Sequence, residues 1–209
     1  MAKRGSLSRE KIIAAAMILL DRDGEKGFSM RKLAGEMGVD PMALYHHHRN
    51  RDALMFEVMQ ALLDQMPLPE PSGNWEDDIR ALCRSLRALA RRHPGAFRVY
   101  ELYDDWVPAE QRMNEAFHAT LLNAGFTPDQ TVRAVRLIIA YTEAFAVDEI
   151  TGWLAPYDDD DRTALRESLS DSEHPTLTTL FDKITTIDIE ADFDFALDVM
   201  LAGLRAQKD

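Results

Sequence analysis

The stretch SMRKLAGEMGVDPMALYHHHRNRDAL, residues 29–54, decides the fold. It opens on Ser29, a good helix N-cap, with Phe28 before it and Leu33 inside the helix at the spacing of a hydrophobic staple. The helix so predicted ends near Met37 and Gly38. A second helix begins at Asp40 as N-cap, with Pro41 at the first helical position and Val39 and Leu44 as a second staple. It is short, through about His47. Two short helices joined by a turn of three or four residues containing glycine make a helix-turn-helix, whose second helix enters the major groove of DNA. Ala34 is small where the two helices cross, and Val39 and Leu44 supply the buried side. Arg31, Met42, Ala43, Tyr45, His46 and His47 remain as the outward set.

The three consecutive histidines, His46 to His48, raise a metal reading that the geometry of a helix disfavours. Neighbouring helical residues point about 100° apart, so three in a row do not converge on one ion as histidines at i and i+4 do. With no cysteine nearby to complete a set, the metal expectation is none. Charging of His46 and His47 near pH 6.5 would instead strengthen attraction to phosphate.

Working outward, a first helix runs from about Ser8 to Asp23 and closes at Gly24 and Gly27. Its basic start and short apolar run superficially resemble a secretory signal. Ile12, Ile13, Ala16, Leu19 and Leu20 instead form one amphipathic stripe, and no small-residue cleavage site follows before the acidic DRDGE. The preceding AKRG reads as a frayed basic tail adding general attraction, the alternative being an arm that reaches a minor groove. Asn50 caps a longer helix, RDALMFEVMQALLDQM, which stops at the proline-rich linker PLPEPSG. The expected division is a DNA-binding segment at 1–50, a connecting helix at 51–66 and a helical domain at 75–209.

The charge balance fits that division. The chain of 209 residues carries a net charge of −12, yet residues 1–51 hold ten Lys/Arg against six Asp/Glu, and the remainder fourteen against thirty. A basic end on an acidic body is the asymmetry expected when one segment meets a polyanion. A composition of 46% hydrophobic and 29% charged residues suffices for a full core, and a single cysteine, Cys83, excludes an internal disulfide framework. The expected location is the cytoplasm.

Beyond the linker the pattern stays helical, and the fold class is all-α. NWEDDIRALCRSLRALARRH carries Ile79, Leu82, Leu86 and Leu89 at helical spacing. Shorter helices cover Pro94 to Tyr103 and Pro108 to Asn123, with Gly125 as C-cap. In Leu137 to Val147 only Thr142 and Glu143 are not apolar, so that helix is buried on more than one side. The last helix has one stripe of Phe193, Leu197, Met200 and Leu204 and another of Phe195, Val199, Ala202 and Ala206. Surplus apolar faces on two helices suggest a twofold dimer built on a four-helix seam; the alternative is two deeply buried helices in a monomer. Asp158 to Asp161 lack the alternating ligands and glycine of a calcium loop and read as a solvated loop.

In these elements the chain strongly resembles the tetracycline-repressor (TetR) family of transcriptional regulators. The resemblance is specific in the first 60 residues and looser beyond, where NWEDDIRALCRSLRALARRHP, LLNAGFTPDQTVRAVRLIIAYTEAFAVDE and FDFALDVMLAGLRA match the tetracycline-repressor branch; the DDDDR region and residues 165–187 match least. By position, the resemblance implies that Arg31 reaches a base edge or phosphate, that Pro41, Met42, Ala43, Tyr45, His46 and His47 line the groove, and that Arg51 holds a phosphate. An Arg fork suits guanine O6 and N7, and Met42 and Ala43 suit a thymine methyl.

The resemblance further implies a repressor that binds a palindromic operator as a homodimer and is released by a small-molecule effector. The expected pocket walls are Phe97, Tyr100, Tyr103, Trp106, Met113, Phe117, His118, Leu122, Tyr141 and Phe145, an aromatic set with His118 and the tyrosine hydroxyls as polar handles. Glu143 is expected on the solvated rim of the dimer seam, the alternative being a buried polar handle. His93, followed by Pro94, is expected to end a helix rather than to bind a ligand. No cofactor is implied. No G-x-G pair, H-E-x-x-H or G-x-S-x-G occurs, so an enzyme is not expected. The alternative is an all-α small-molecule-binding protein or enzyme that uses the aromatic pocket.

Overall fold

The computed structural model describes residues 7–103 and 107–208, and among them every regular element is an α-helix. Helices α1(Arg9–Asp23), α2(Met30–Met37), α3(Pro41–Tyr45) and α4(Arg51–Leu63) form the N-terminal part. They are followed by α5(Trp75–Arg92), α6(Pro94–Leu102), α7(Pro108–Asn123), α8(Pro128–Thr151), α9(Asp159–Ser168), α10(Pro175–Ile184) and α11(Ile189–Arg205). The chain forms two compact units, Met1–Glu143 and Ala144–Asp209, with the division inside α8. The AKRG tail and Trp106 lie outside the described residues. Among the described residues no helix is long and apolar enough to cross a membrane.

The caps expected from the sequence are in place. The side chains of Ser29, Asp40 and Asn50 accept from the backbone N–H of Lys32, Met42 and Ala53, satisfying donors that the first turns of α2, α3 and α4 leave open. Between α2 and α3 the chain reverses through Gly38, at φ +63°. There the N–H groups of Gly38 and Val39 return to the carbonyls of Gly35 and Ala34 in a Schellman closure. A side chain with a Cβ would be strained at that φ. Phe28, Leu33 and Leu44 are buried and Val39 is half-buried, the burial that both staples require. Helix α3 ends at Tyr45, two residues before the sequence reading, and His46 and His47 form a turn.

The first unit holds together because α6 packs on both α1 and α4. Asp21, in the last turn of α1, accepts from the N–H groups of Gly95 and Ala96 at 3.0 Å each, so a carboxylate of α1 caps the N-terminus of α6. The same carboxylate meets His93 Nδ1 at 2.9 Å, while His93 Nε2 lies 3.1 Å from Gln65 Oε1. The approach needs a glycine: a Cβ at Gly95 would sit 1.9 Å from the Leu20 carbonyl oxygen. Farther along, Gln60 of α4 accepts from the Ala109 N–H, and Arg112 pairs with Asp64, fixing the start of α7 on α4. Ile79, Leu82, Leu86 and Leu89 of α5 are all buried, as their spacing requires.

In the second unit, Asp158 accepts from the Asp161 N–H and Asp161 accepts in return from the Asp158 N–H. This capping box starts α9. The acidic run is therefore not a solvated loop, as its composition suggested, but the negative first turn of a helix, where carboxylates favour the dipole. Helix α11 buries Phe193, Leu197 and Leu201, with Phe145 5.1 Å from Phe193. Its other stripe is solvent-facing: Phe195 is 69% and Val199 56% exposed.

The docking of α6 on α1 predicts opposite outcomes for two glycines. Gly95→Ala should destabilise the protein by about 1–3 kcal/mol, because the methyl meets backbone that cannot step aside. Gly35→Ala, in an α2 position with open space around it, should stabilise by about 0.5–1 kcal/mol. Urea denaturation of the two variants measures both.

Candidate nucleic-acid interface

Helix α3 divides its residues by burial. Leu44 is fully buried, whereas Met42 is 63% and Tyr45 41% exposed, with His46 exposed and Pro41, Ala43 and His47 half-buried. Arg31, the second residue of α2, is exposed and has no carboxylate partner among the described residues. The structure thus places Arg31, Met42, Tyr45 and His46 at the surface of the helix-turn-helix, flanked by Pro41, Ala43 and His47. His48 departs from its two neighbours and is buried, which breaks up the histidine run.

Several nearby cations serve the fold. Arg22 bonds Asp23 and Glu36 at 2.8 Å, and Lys32 bonds Asp23 at 2.8 Å and the Gly27 carbonyl at 3.1 Å, tying α1 to α2. The Arg22 and Lys32 bonds hold the Asp23 carboxyl well below the usual carboxylate range. Arg9 donates to Glu57 at 2.9 Å and to the His47 carbonyl at 2.7 Å, joining the start of α1 to α4 and to the turn that follows α3.

Arg51 is half-buried. Its guanidinium pairs with Glu25, donates to the Tyr103 hydroxyl oxygen and lies 5.7 Å from the Phe28 ring centre. The Tyr103 hydroxyl in turn faces Asp52 at 3.5 Å. A residue expected from the resemblance to hold phosphate thus braces the start of α4 against the α1–α2 turn and α6. Tyr103, expected in a pocket wall, is part of the same brace.

The other expected pocket residues divide as well. Phe97, Met113 and Phe117 are buried, and Phe97 meets Tyr100 edge-on at 5.6 Å. Tyr141 and Phe145 are half-buried, while Leu122 is 51% exposed. His118 is half-buried, and its Nδ1 lies 2.7 Å from the carbonyl of Asn114 in its own helix. Glu143 is not on a solvated rim. It accepts from the Tyr100 hydroxyl at 2.9 Å, and burial together with Glu101 raises its pKa to about 7. Burial, reinforced by Glu143, also pushes the Tyr100 phenol well above its ordinary value.

A family model for the N-terminal domain of bacterial regulatory proteins of the TetR family matches residues 12–58, and one for the tetracyclin repressor-like C-terminal domain matches residues 66–208. The chain belongs to the TetR family. It is a helix-turn-helix transcriptional regulator. Among relatives of this TetR member, an HTH-type transcriptional regulator of Saccharopolyspora erythraea is 30% identical over 96% of the chain and 85% of its own length. The class G tetracycline repressor of Vibrio anguillarum is 28% identical over 94% and 93%. Among solved structures, ActR from Streptomyces coelicolor in complex with actinorhodin superposes with a TM-score of 0.83 at 26% identity, over 98% and 99% of the two chains.

Sequence reasoning missed Asp21, Glu25 and Glu57, because each acts on residues distant in the chain. His48 carried a usable signal: it lies four residues after the buried Leu44 and so falls on the inward side.

The raised pKa of Glu143 predicts a pH-dependent effect of its removal. In the folded protein the carboxyl stays neutral up to about pH 7, whereas an unfolded glutamate ionises near 4.5, so the stability contributed by the neutral form is lost as pH rises from 4.5 through 7. Glu143→Gln should therefore be more stabilising, or less destabilising, at pH 8 than at pH 5. Thermal melts of the two proteins at both pH values check the sign.

Proposed function

We propose that this TetR-family regulator is a repressor that grips a palindromic operator as a homodimer and releases it when a small molecule occupies its helical domain. The observation that carries the reading is the surface of the helix-turn-helix. Met42 and Tyr45 of α3 are exposed, and so is Arg31 of α2, which has no carboxylate partner among the described residues, so these side chains are free to meet base edges and phosphates. Arg31, Pro41, Met42, Ala43, Tyr45, His46 and His47 form the groove-facing set. Arg51 contributes mainly by holding α4, with a phosphate within reach only if it yields Glu25 or Tyr103.

Pairing of two chains is supported by the outward apolar stripes. Phe195 and Val199 on α11, four residues apart, and Leu137 on α8 with the exposed Ala140 and Ala144, are the surfaces a second copy would cover. Two recognition helices then stand about 34–36 Å apart, one turn of duplex, or a multiple of that.

Release by an effector is supported by α6. Its first turn is capped by Asp21 of α1, its C-cap residue Tyr103 holds Arg51 of α4, and between them Phe97 and Tyr100 face the helical interior. A ligand that displaced α6 would move the recognition segment directly. Linkage then requires DNA and ligand to weaken each other equally. Phe97, Tyr100, Met113, Phe117, His118, Leu122 and Tyr141 are the proposed walls, with Tyr103 shared with the brace. The Tyr100–Glu143 pair is a better polar handle than His118, whose Nδ1 is already occupied. The solved complexes of ActR with actinorhodin and with (S)-DNPA, and the tetracycline repressors among the relatives, set the class of comparison.

On this reading the chain works in the cytoplasm, without catalysis. It comprises a DNA-binding segment at 1–50, a connecting helix at 51–66 and a ligand-binding and dimerisation domain at 75–209.

Binding to a duplex recovered by selection from a random pool should weaken at least tenfold with Arg31→Ala, and the salt slope should fall by about one if Arg31 neutralises a phosphate. Arg51→Ala should weaken binding with little change in slope, since its role is placement of α4. Fluorescence anisotropy across a salt series separates the two, and wild-type affinity in Arg31→Ala combined with Tyr45→Ala would exclude α3 as the contact.

A further inference from the structure

His48 is the most unusual polar residue of the DNA-binding segment. Its side chain is 0% exposed, and among the described residues neither ring nitrogen has a hydrogen-bond partner. It closes the turn that ends α3, its own N–H returning to the Leu44 carbonyl at 2.9 Å. The nearest counter-charge is Glu57 of α4, whose Oε1 lies 3.5 Å from His48 Nδ1, too far for a hydrogen bond. That oxygen is already engaged by Arg9 of α1, which also bonds the carbonyl of His47. Arg9, Arg49, Asp52 and Glu57 are the charged groups around the adjoining cleft, a cavity of about 550 Å³ into which His48 forms part of the wall.

We propose that His48 is an acid-sensitive positioning residue for the recognition helix. Uncharged, it fits its dry site and holds the end of α3 in place for DNA. On taking up a proton it must either reach the water of the cleft or draw Glu57 from Arg9, and each movement frees the α3 turn and weakens DNA binding. The proposal rests on α3 being the DNA contact.

The direction follows from the balance of its surroundings. Burial disfavours the imidazolium and outweighs the attraction of Glu57, while Arg9 and His47 add repulsion, so His48 gains its proton less readily than a free histidine. The unfolded chain therefore takes up the proton first. The stability that neutral His48 contributes is complete above pH 6.5 and is lost as pH falls below it. His46 and His47, in the proposed groove-facing set, would act on DNA directly, a contribution distinct from that of His48.

The test separates them in full-length protein. In a His46→Gln/His47→Gln background, affinity for a duplex selected from a random pool should fall as the pH is lowered below 6.5, by at most about tenfold per pH unit, the limit for one linked proton. Adding His48→Leu should flatten the profile. A slope that survives that change, or a flat profile before it with backbone amide protection also unchanged, overturns the proposal. A second readout needs no DNA: amide-exchange protection of His46, His47 and His48 should drop on acidification in the wild-type chain and hold steady in His48→Leu. Protection lost in wild type without any pH-dependent duplex binding would contradict the assignment of α3 to DNA and leave the His48 switch standing, whereas protection unchanged from pH 7.5 to 5.5 would contradict the switch itself. His48→Gln, neutral but polar, serves as the control should the leucine variant fold poorly.

Discussion

The structure depends on how a helix of five residues is kept in place. Helix α3 is too short to persist alone, since a helix of that length has barely met the cost of its own nucleation. Its order comes from outside: the Asp40 cap and Pro41 at its start, the fully buried Leu44 beneath it, and the turn through His46 to His48 that closes on the Leu44 carbonyl. Arg9 and Glu57 fasten that turn to α1 and α4. Everything outward on α3, including Met42, Tyr45 and His46, can face away from the protein because one leucine and one histidine face into it.

The same economy governs the link to the rest of the first unit. Helix α6 gains its N-terminal cap from Asp21 rather than from its own preceding residues, and Gly95 allows a backbone approach that no other residue permits. At its other end Tyr103 shares Arg51 with Glu25. A charged side chain that the resemblance assigns to DNA is thereby held, half-buried, by acceptors of the protein itself. Arg51 bridges two acceptors from different elements, a geometry suited to a guanidinium fork and unsuited to lysine.

Much of this was legible in the sequence, and the reasons are local. Ser29, Asp40 and Asn50 announce three helix starts because caps and staples are written within a few residues. The stripes of α5 and α11 follow from periodicity, and the exposed Phe195 and Val199 are the surplus face that the pattern contained. The illegible features are those made by distant partners. Nothing near Arg51 points to Tyr103, and nothing near Glu143 points to Tyr100, so the first was assigned to phosphate and the second to a solvated rim. The acidic run at Asp158 differs for another reason: composition suggests a solvated loop, and the run is solvent-exposed, but the Asp158–Asp161 capping box makes it a helix start. Of the aromatic set expected to line a pocket, Phe97, Met113 and Phe117 are inward and Leu122 is half-exposed, because aromatic density marks a core without marking which residues face a ligand.

The account as a whole stands on two copies of the chain presenting α3 to one duplex. Sedimentation velocity of the full-length protein with a duplex selected from a random pool, read together with the sequence of that duplex, measures this most directly. The account predicts two chains, or a multiple of two, on a duplex with inverted half-sites whose centres are about one helical turn, or a whole number of turns, apart. A single chain bound to a site without such symmetry would contradict it.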